Sequence, residues 1–191
     1  MQEGGPFVVG VSGASGAPIA VKVLEALRDA HLPVALVASS AGLEVVREEV
    51  GLDRAGLARL VEKIYADDDL GAPIASGTRP TRGMVVVPCS SSTAAKIALG
   101  LGDTLLARTA HVHLKEHRKL VLVPRETPLP TILLRHLASL SELGVVILVA
   151  SPAYYLRPRS IEDVTAYLAG KVLDHLGVPH TLYRGWKAEE T

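Results

Sequence analysis

Residues 7–16 read Phe7-Val-Val-Gly-Val-Ser-Gly-Ala-Ser-Gly16. A run rich in β-branched residues ends at a Ser-Gly turn. Residues 17–30 then take up helical spacing, with Ile19, Val23, Leu24 and Leu27 on one face. A strand that enters a glycine-rich turn and then a helix is the opening unit of a parallel α/β sheet. The same alternation continues along the chain. Strands are predicted over 33–38, 84–87, 120–123 and 145–149, and helices over 42–50, 57–64, 93–99, 104–114, 133–143 and 160–176. Ser160 with Asp163 three residues on has the form of a helix cap. Residues 71–82, rich in Gly, Pro, Ser and Thr, read as a loop. The strands are continuous apolar runs, as expected when both faces of a sheet are covered. The fold class is therefore α/β: a single-domain, doubly wound parallel sheet of the flavodoxin-like or Rossmann-like kind. The domain is expected to span 1–186, with 187–191 as a loose tail.

Composition narrows the function. The 191 residues are 48% hydrophobic, and 20 Lys and Arg balance 20 Asp and Glu. No net field draws the chain to nucleic acid or to an anionic membrane, so a bound anion must be held by a local cluster. Seven Phe, Trp and Tyr residues give little material for base stacking. The single cysteine, Cys89, excludes an internal disulfide and a CxxC metal site, and a reducing cytoplasm is the simplest setting. No apolar run approaches the roughly 20 residues that span a bilayer, and the first residues lack the pattern of a signal peptide.

In a doubly wound sheet, ligands sit beyond the carboxyl ends of the strands. Polar residues gather at four such places. The first is Gly10-Val-Ser-Gly-Ala-Ser-Gly16, where glycines admit a ligand to the backbone and a helix N-terminus offers N–H groups to an anion. A tight strand-to-helix turn is the alternative. The spacing is not GxGxxG. Ser39 and Ser40, rather than an acidic residue, end the second strand, which disfavours a dinucleotide and suits a mononucleotide. The second is Pro88-Cys-Ser-Ser-Ser-Thr-Ala-Ala-Lys96, whose hydroxyls can bond a phosphate without adding charge or can simply cap a helix. Cys89 lacks a histidine partner in sequence and reads as a buried thiol. The third runs from Arg108 to Glu126. Lys115 and Glu116 close a helix and Arg125-Glu126 follow a strand, so cations for a phosphate can accompany a carboxylate for proton transfer; the alternative for 115–119 is a solvated basic helix end. His111, His113 and His117 lie close together, but no carboxylate motif of the HExxH kind accompanies them, so a metal is not expected there. The fourth is Pro152-Ala-Tyr-Tyr-Leu-Arg-Pro158, where a tyrosine hydroxyl can hold a phosphate and a ring can wall an apolar tail, the alternative being a loop aromatic packed on the sheet edge.

These segments, in this order, resemble the UbiX-type flavin prenyltransferase family. The matching pieces are GVSGASG, VVVPCSSSTAAKIALGLGDTLLAR, HLKEHRKLVLVPRETP, LGVVILVASPAYYLRP and SIEDV, spread over 8–176. The resemblance implies reduced FMN as prenyl acceptor, dimethylallyl phosphate as donor, N5 and C6 as the positions joined, and no metal. It implies a homo-oligomer, commonly a dodecamer with sites at subunit interfaces, and a UbiD-type decarboxylase as recipient of the prenylated flavin. Carried over by position, Gly13, Ala14, Ser15, Ser39, Ser90, Ser91, Ser92, Thr93 and Arg125 would hold FMN. Ser76, Lys115, Arg125, Tyr155 and Lys171 would hold the donor. Glu126, Ser15 and Lys115 would be catalytic, with Glu126 and Ser15 moving protons. The family usually has arginine where this chain has Lys171, and lysine keeps the charge but loses the planar fork. Two alternatives share the fold and the cofactor: an FMN-dependent cysteine decarboxylase and a non-catalytic FMN carrier. The first typically shows a PASANT-type segment where this chain has PCSSST, and a histidine after the second helix where this chain has none.

Overall fold

A computed structural model describes residues 4–185; the expected tail at 187–191 lies outside them. The sheet has six parallel strands: β1 Phe7–Val11, β2 Val34–Ala38, β3 Lys63–Ala66, β4 Gly83–Cys89, β5 Leu120–Pro124 and β6 Val146–Ile147. Their order is β3-β2-β1-β4-β5-β6. Without the edge strand β3 this is the flavodoxin order, and with it the Rossmann order. The chain builds outward from β1 on one side, returns, and builds outward from β4 on the other. The order reverses between β1 and β4, and the crevice for a ligand opens beyond their carboxyl ends.

Seven helices follow the strands: α1 Ala17–Asp29, α2 Ser40–Val50, α3 Arg54–Ala58, α4 Ser91–Ala98, α5 Leu105–Lys115, α6 Thr131–Glu142 and α7 Ile161–Leu176. Every residue of β1, β2, β4 and β5 is buried. Their side chains alternate between two cores. Val9, Val85 and Val121 pack with α1 and α7, while Val8, Val86 and Leu122 pack with α4, α5 and α6. Each such Val or Leu contributes about 1.5–3 kcal/mol by leaving water, so continuous apolar strands are what two covered faces require. Ser160 caps α7 in a reciprocal capping box with Asp163, as its sequence spacing predicts.

Two expectations are corrected. Residues 57–64 are not one helix: α3 ends at Ala58, and Lys63 opens β3. β3 is an edge strand with no buried residue, so its sequence lacks the apolar run that marks the central strands. The strand expected over 145–149 shrinks to two residues, although Leu148 N–H still donates to Leu122 O at 2.8 Å and Ala150 N–H to Pro124 O at 3.2 Å.

Ser12 joins the two sides of the crevice. Its hydroxyl donates to Pro88 O at 2.9 Å and accepts from Ser90 N–H at 2.7 Å, and the side chain is fully buried. This serine therefore ties the end of β1 to the end of β4 and is not available to a ligand. Ser12→Ala leaves the Ser90 N–H without that partner. It should lower unfolding stability by about 1–3 kcal/mol, measured by urea denaturation; an unchanged midpoint would remove Ser12 from this role.

Candidate functional site at the strand ends

Beyond the carboxyl ends of β1 and β4 lies a cleft of about 250 Å³, bordered by Gly13, Ser39, Ser90, Ser92, Thr93 and Thr104. Its floor is explained residue by residue. A Cβ at Gly13 would lie 2.6 Å from that of Ala41, so only glycine lets α2 approach this turn. Gly16 has φ 121, a conformation that excludes other residues without strain. Ser39 caps α2, accepting from Gly42 N–H at 3.0 Å. Ser90 caps α4, accepting from Thr93 N–H at 3.3 Å, and lies 3.2 Å from Ser92 Oγ and 3.0 Å from Thr93 Oγ1. The helix starts of α2 and α4 thus bring uncharged hydroxyls and partial positive charge to one cleft.

The start of α1 is used differently from the sequence reading. Glu49, from the last turn of α2, accepts from Gly16 N–H at 2.9 Å and Ala17 N–H at 2.8 Å. The anion at this helix start is therefore the protein's own carboxylate. Partial burial pushes the Glu49 carboxyl up, but hydrogen bonds from Ser15, Gly16 and Ala17 and the nearby Arg125 outweigh burial and hold it below the usual carboxylate value. Sequence reading misses Glu49 because nothing local marks it; 33 residues separate it from Gly16.

Arg125 and Glu126 leave the end of β5 in opposite directions. Arg125 Nε lies 3.3 Å from Ser15 O, beside Glu49. Glu126 is half-buried; Oε2 accepts from Ser91 Oγ at 3.0 Å and Oε1 from Thr127 N–H at 3.2 Å. Ser91 therefore orients a carboxylate. Gly13, Ala14, Ser15, Ser39, Ser90, Ser91, Ser92, Thr93, Arg125 and Glu126 all belong to this one end of the sheet.

Of the remaining candidates, Tyr155 follows the carboxyl end of β6, while Lys171, Lys115 and Ser76 stand away from the cleft. Tyr155 lies in a 3-10 turn, Tyr154–Leu156, and interacts with Tyr167 on α7. Lys171 stands one turn further along α7, paired with Asp174 at 3.0 Å. Asp174 also accepts from His180 Nε2 at 3.0 Å and from the Tyr183 hydroxyl. Next to this strip is a cavity of about 270 Å³ lined by Arg157, Arg159, Tyr167, Tyr183 and Arg184. Lys115 and Ser76 are at the opposite end of the sheet. Residues 115–119 lead into β5, Lys119 O accepts from Met84 N–H at 2.9 Å, and Arg118 reaches Gly77 O, so this patch surrounds the amino ends of β4 and β5. Lys115 pairs there with Glu116 and Ser76 Oγ meets Thr78 Oγ1 at 2.8 Å. The expectation that every polar cluster falls at a carboxyl end fails for Lys115. A helix returning from a parallel strand must deliver its last residues to the opposite edge.

Cys89 is buried and its thiol is pushed up to about 12 by burial, which leaves it inert. His113 is buried against Thr109 and Thr81, and among the described residues no His, Cys, Asp and Glu cluster has a metal-binding arrangement. No helix among them is long and apolar enough to cross a membrane.

Glu49 gives a test with a definite sign. Its lowered value means that ionisation stabilises the fold above its ordinary value of 4.5, and that this contribution is lost as pH falls through the lower folded value. The stability difference between wild type and Glu49→Gln should be full at pH 7 and shrink in acid, by urea unfolding at the two pH values. An equal difference at both would refute an ionised cap.

The Flavoprotein family model matches residues 1–173. A flavin prenyltransferase UbiX from Thermoplasma acidophilum is 45% identical over 182 residues, covering 94% of this chain and 99% of that relative. The structure of AnUbiX (PadA1) in complex with FMN and dimethylallyl pyrophosphate superposes with a TM-score of 0.93 at 38% identity, covering 97% of this chain and 98% of the other. A dodecameric FMN-dependent UbiX-like decarboxylase from Escherichia coli O157:H7 gives 0.94 at 39% identity, covering 96% and 100%. With near-complete coverage of both chains, and with the hydroxyl-lined crevice at the point where the strand order reverses, the chain belongs to the UbiX-type flavin prenyltransferase family of flavoproteins.

Proposed function

We propose that the protein holds reduced FMN in the crevice between β1 and β4 and joins to it the dimethylallyl group of dimethylallyl phosphate. The observation that carries the reading is the donor set of the crevice. Ser39, Ser90, Ser92 and Thr93 supply hydroxyls at two helix starts, which suits a phosphomonoester. Gly13 and Ala14 leave a low wall on which a flat ring can lie, and the residues present fit FMN. The complex of FMN with a prenyl diphosphate in a relative 38% identical supports the same pairing of ligands.

Reduced FMN, when bound, would supply electron-rich N5 to the allylic carbon that loses its phosphate, and C6 to the far carbon of the same group, whose double bond takes up a proton. The protein's part is to hold the two together and to balance charge. Arg125 stabilises the departing phosphate. Glu126, oriented by Ser91, gives that phosphate a proton and later removes one from C6. Ser15, bonded to Glu49, relays a proton at N5. Lys115, Lys171, Tyr155 and Ser76 complete the grip on the donor, Lys171 with less geometric selectivity than an arginine would give.

These donor-binding groups stand on separate faces of one chain, so a complete site draws on more than one copy. The dodecameric relative supports such an assembly. The monophosphate as donor, a UbiD-type decarboxylase as recipient and a cytoplasmic setting belong to the same reading.

Incubation with reduced FMN and dimethylallyl phosphate should yield a flavin heavier by one prenyl unit, read by mass spectrometry of the extracted flavin. Unmodified flavin from folded, FMN-loaded protein refutes the function. Glu126→Gln should load FMN and yield little product. At a donor concentration far below the raised KM of Lys115→Ala, assemblies that mix Glu126→Gln and Lys115→Ala subunits should exceed the activity of either parent assembly; no gain would place Lys115 outside a shared site.

A further inference from the structure

The Lys115 patch is held by a clamp that the functional reading does not use. α5 ends with His117 at φ 52, while His117 N–H donates to Leu114 O at 3.1 Å and Arg118 N–H to His113 O at 2.8 Å. These are the two bonds of a Schellman ending, with histidine where glycine is usual. A left-handed histidine is strained, and such strain persists only where its surroundings enforce it. Here the reversal turns Arg118 back across the helix end. Its guanidinium donates to Gly77 O at 2.5 Å, to Arg79 O at 2.8 Å and to Thr81 Oγ1 at 3.3 Å.

A buried histidine anchors the other side of the loop. His113 Nδ1 lies 2.8 Å from Thr109 O, which can only accept, so Nδ1 carries the proton. Nε2 then accepts from the Thr81 hydroxyl at 2.9 Å, and the same hydroxyl oxygen accepts from Arg118. Burial, aided by the nearby Arg118 charge and opposed by the Thr109 bond, lowers His113 to about 4, so the neutral form that this network needs prevails at neutral pH.

The loop so fixed runs under Lys115. A Cβ at Gly77 would lie 2.5 Å from Lys115 Nζ and closer still to Glu116 Oε1. Both atoms are tips of flexible side chains, so an alanine at 77 displaces Lys115 and Glu116 and leaves the core alone. Gly77 has no positive φ that would oppose alanine.

We propose that Arg118 and Gly77 are positioning residues for the prenyl donor: they fix Ser76 and Lys115 as one preformed phosphate-binding patch, presented to the crevice of another copy. The proposal rests on the reading of Lys115 as a phosphate ligand. It explains why a lysine at a helix end, exposed and paired with its neighbour Glu116, is aimed rather than free to wander.

The test is steady-state kinetics with dimethylallyl phosphate, FMN titration and assembly mass for Lys115→Ala, Arg118→Ala and Gly77→Ala. All three should raise the donor KM on the order of tenfold, with kcat for Arg118→Ala and Gly77→Ala within about threefold of wild type. FMN affinity and assembly mass should not change. Arg118→Ala added to Lys115→Ala should raise KM little further. A raised KM in Lys115→Ala with wild-type values in the other two overturns the clamp and leaves the phosphate reading standing. A wild-type KM in Lys115→Ala overturns that reading and the clamp with it. Weaker FMN binding or a smaller assembly in Gly77→Ala would make the loop's role structural and would also overturn the proposal.

Discussion

The hydrogen bonds of Ser12 hold the site open in the right place. A parallel sheet covered on both faces leaves polar chemistry no position except beyond the ends of its strands. The useful end is where neighbouring strands diverge in chain order, between β1 and β4. Ser12 bridges that point, with its hydroxyl between Pro88 O and Ser90 N–H. The turn that follows β1 and the hydroxyl run that follows β4 are thereby set at a fixed separation. Gly13, Ser39, Ser90 and Thr93 owe their shared cleft to that tie.

The cleft is lined mainly by hydroxyls and helix starts. Its hydroxyls and helix starts supply partial charges, and Lys96, which borders it, is paired with Asp103 at 2.7 Å. Arg125, Glu49 and Glu126 gather beside the cleft, around Ser15 and Ser91. This division suits a chemistry in which a cofactor must be held throughout while a leaving phosphate is stabilised only transiently.

The donor-binding groups illustrate a limit set by topology. One end of a sheet can collect residues from the ends of several strands, but the helices that return between strands deliver theirs to the other end. Lys115 and Ser76 are at that other end, Lys171 is on α7, and Tyr155 is in the turn before that helix. Association of copies joins surfaces that a single chain keeps apart. Under the proposed reading, the clamp of Arg118, His113 and Thr81 orders a group offered to another subunit before it arrives.

The sequence by itself determined the central strands, most of the helices and the hydroxyl-rich helix starts, because each is marked locally. Continuous apolar runs require two covered faces, and Ser and Thr before an apolar run cap helices. β3 escaped notice because an edge strand needs little burial, and with it residues 57–64 were read as one helix. Only the tertiary structure decided what each hydroxyl and charge does. Ser12 became a structural tie and Ser91 the partner of Glu126. Glu49 closed the helix start that had been assigned to a ligand. Lys115 was assigned a role by its motif, but its distance from the crevice follows from which edge of the sheet α5 ends on. Local patterns fix elements because their causes act within a few residues; the pairing of side chains 33 or 78 residues apart depends on how those elements pack.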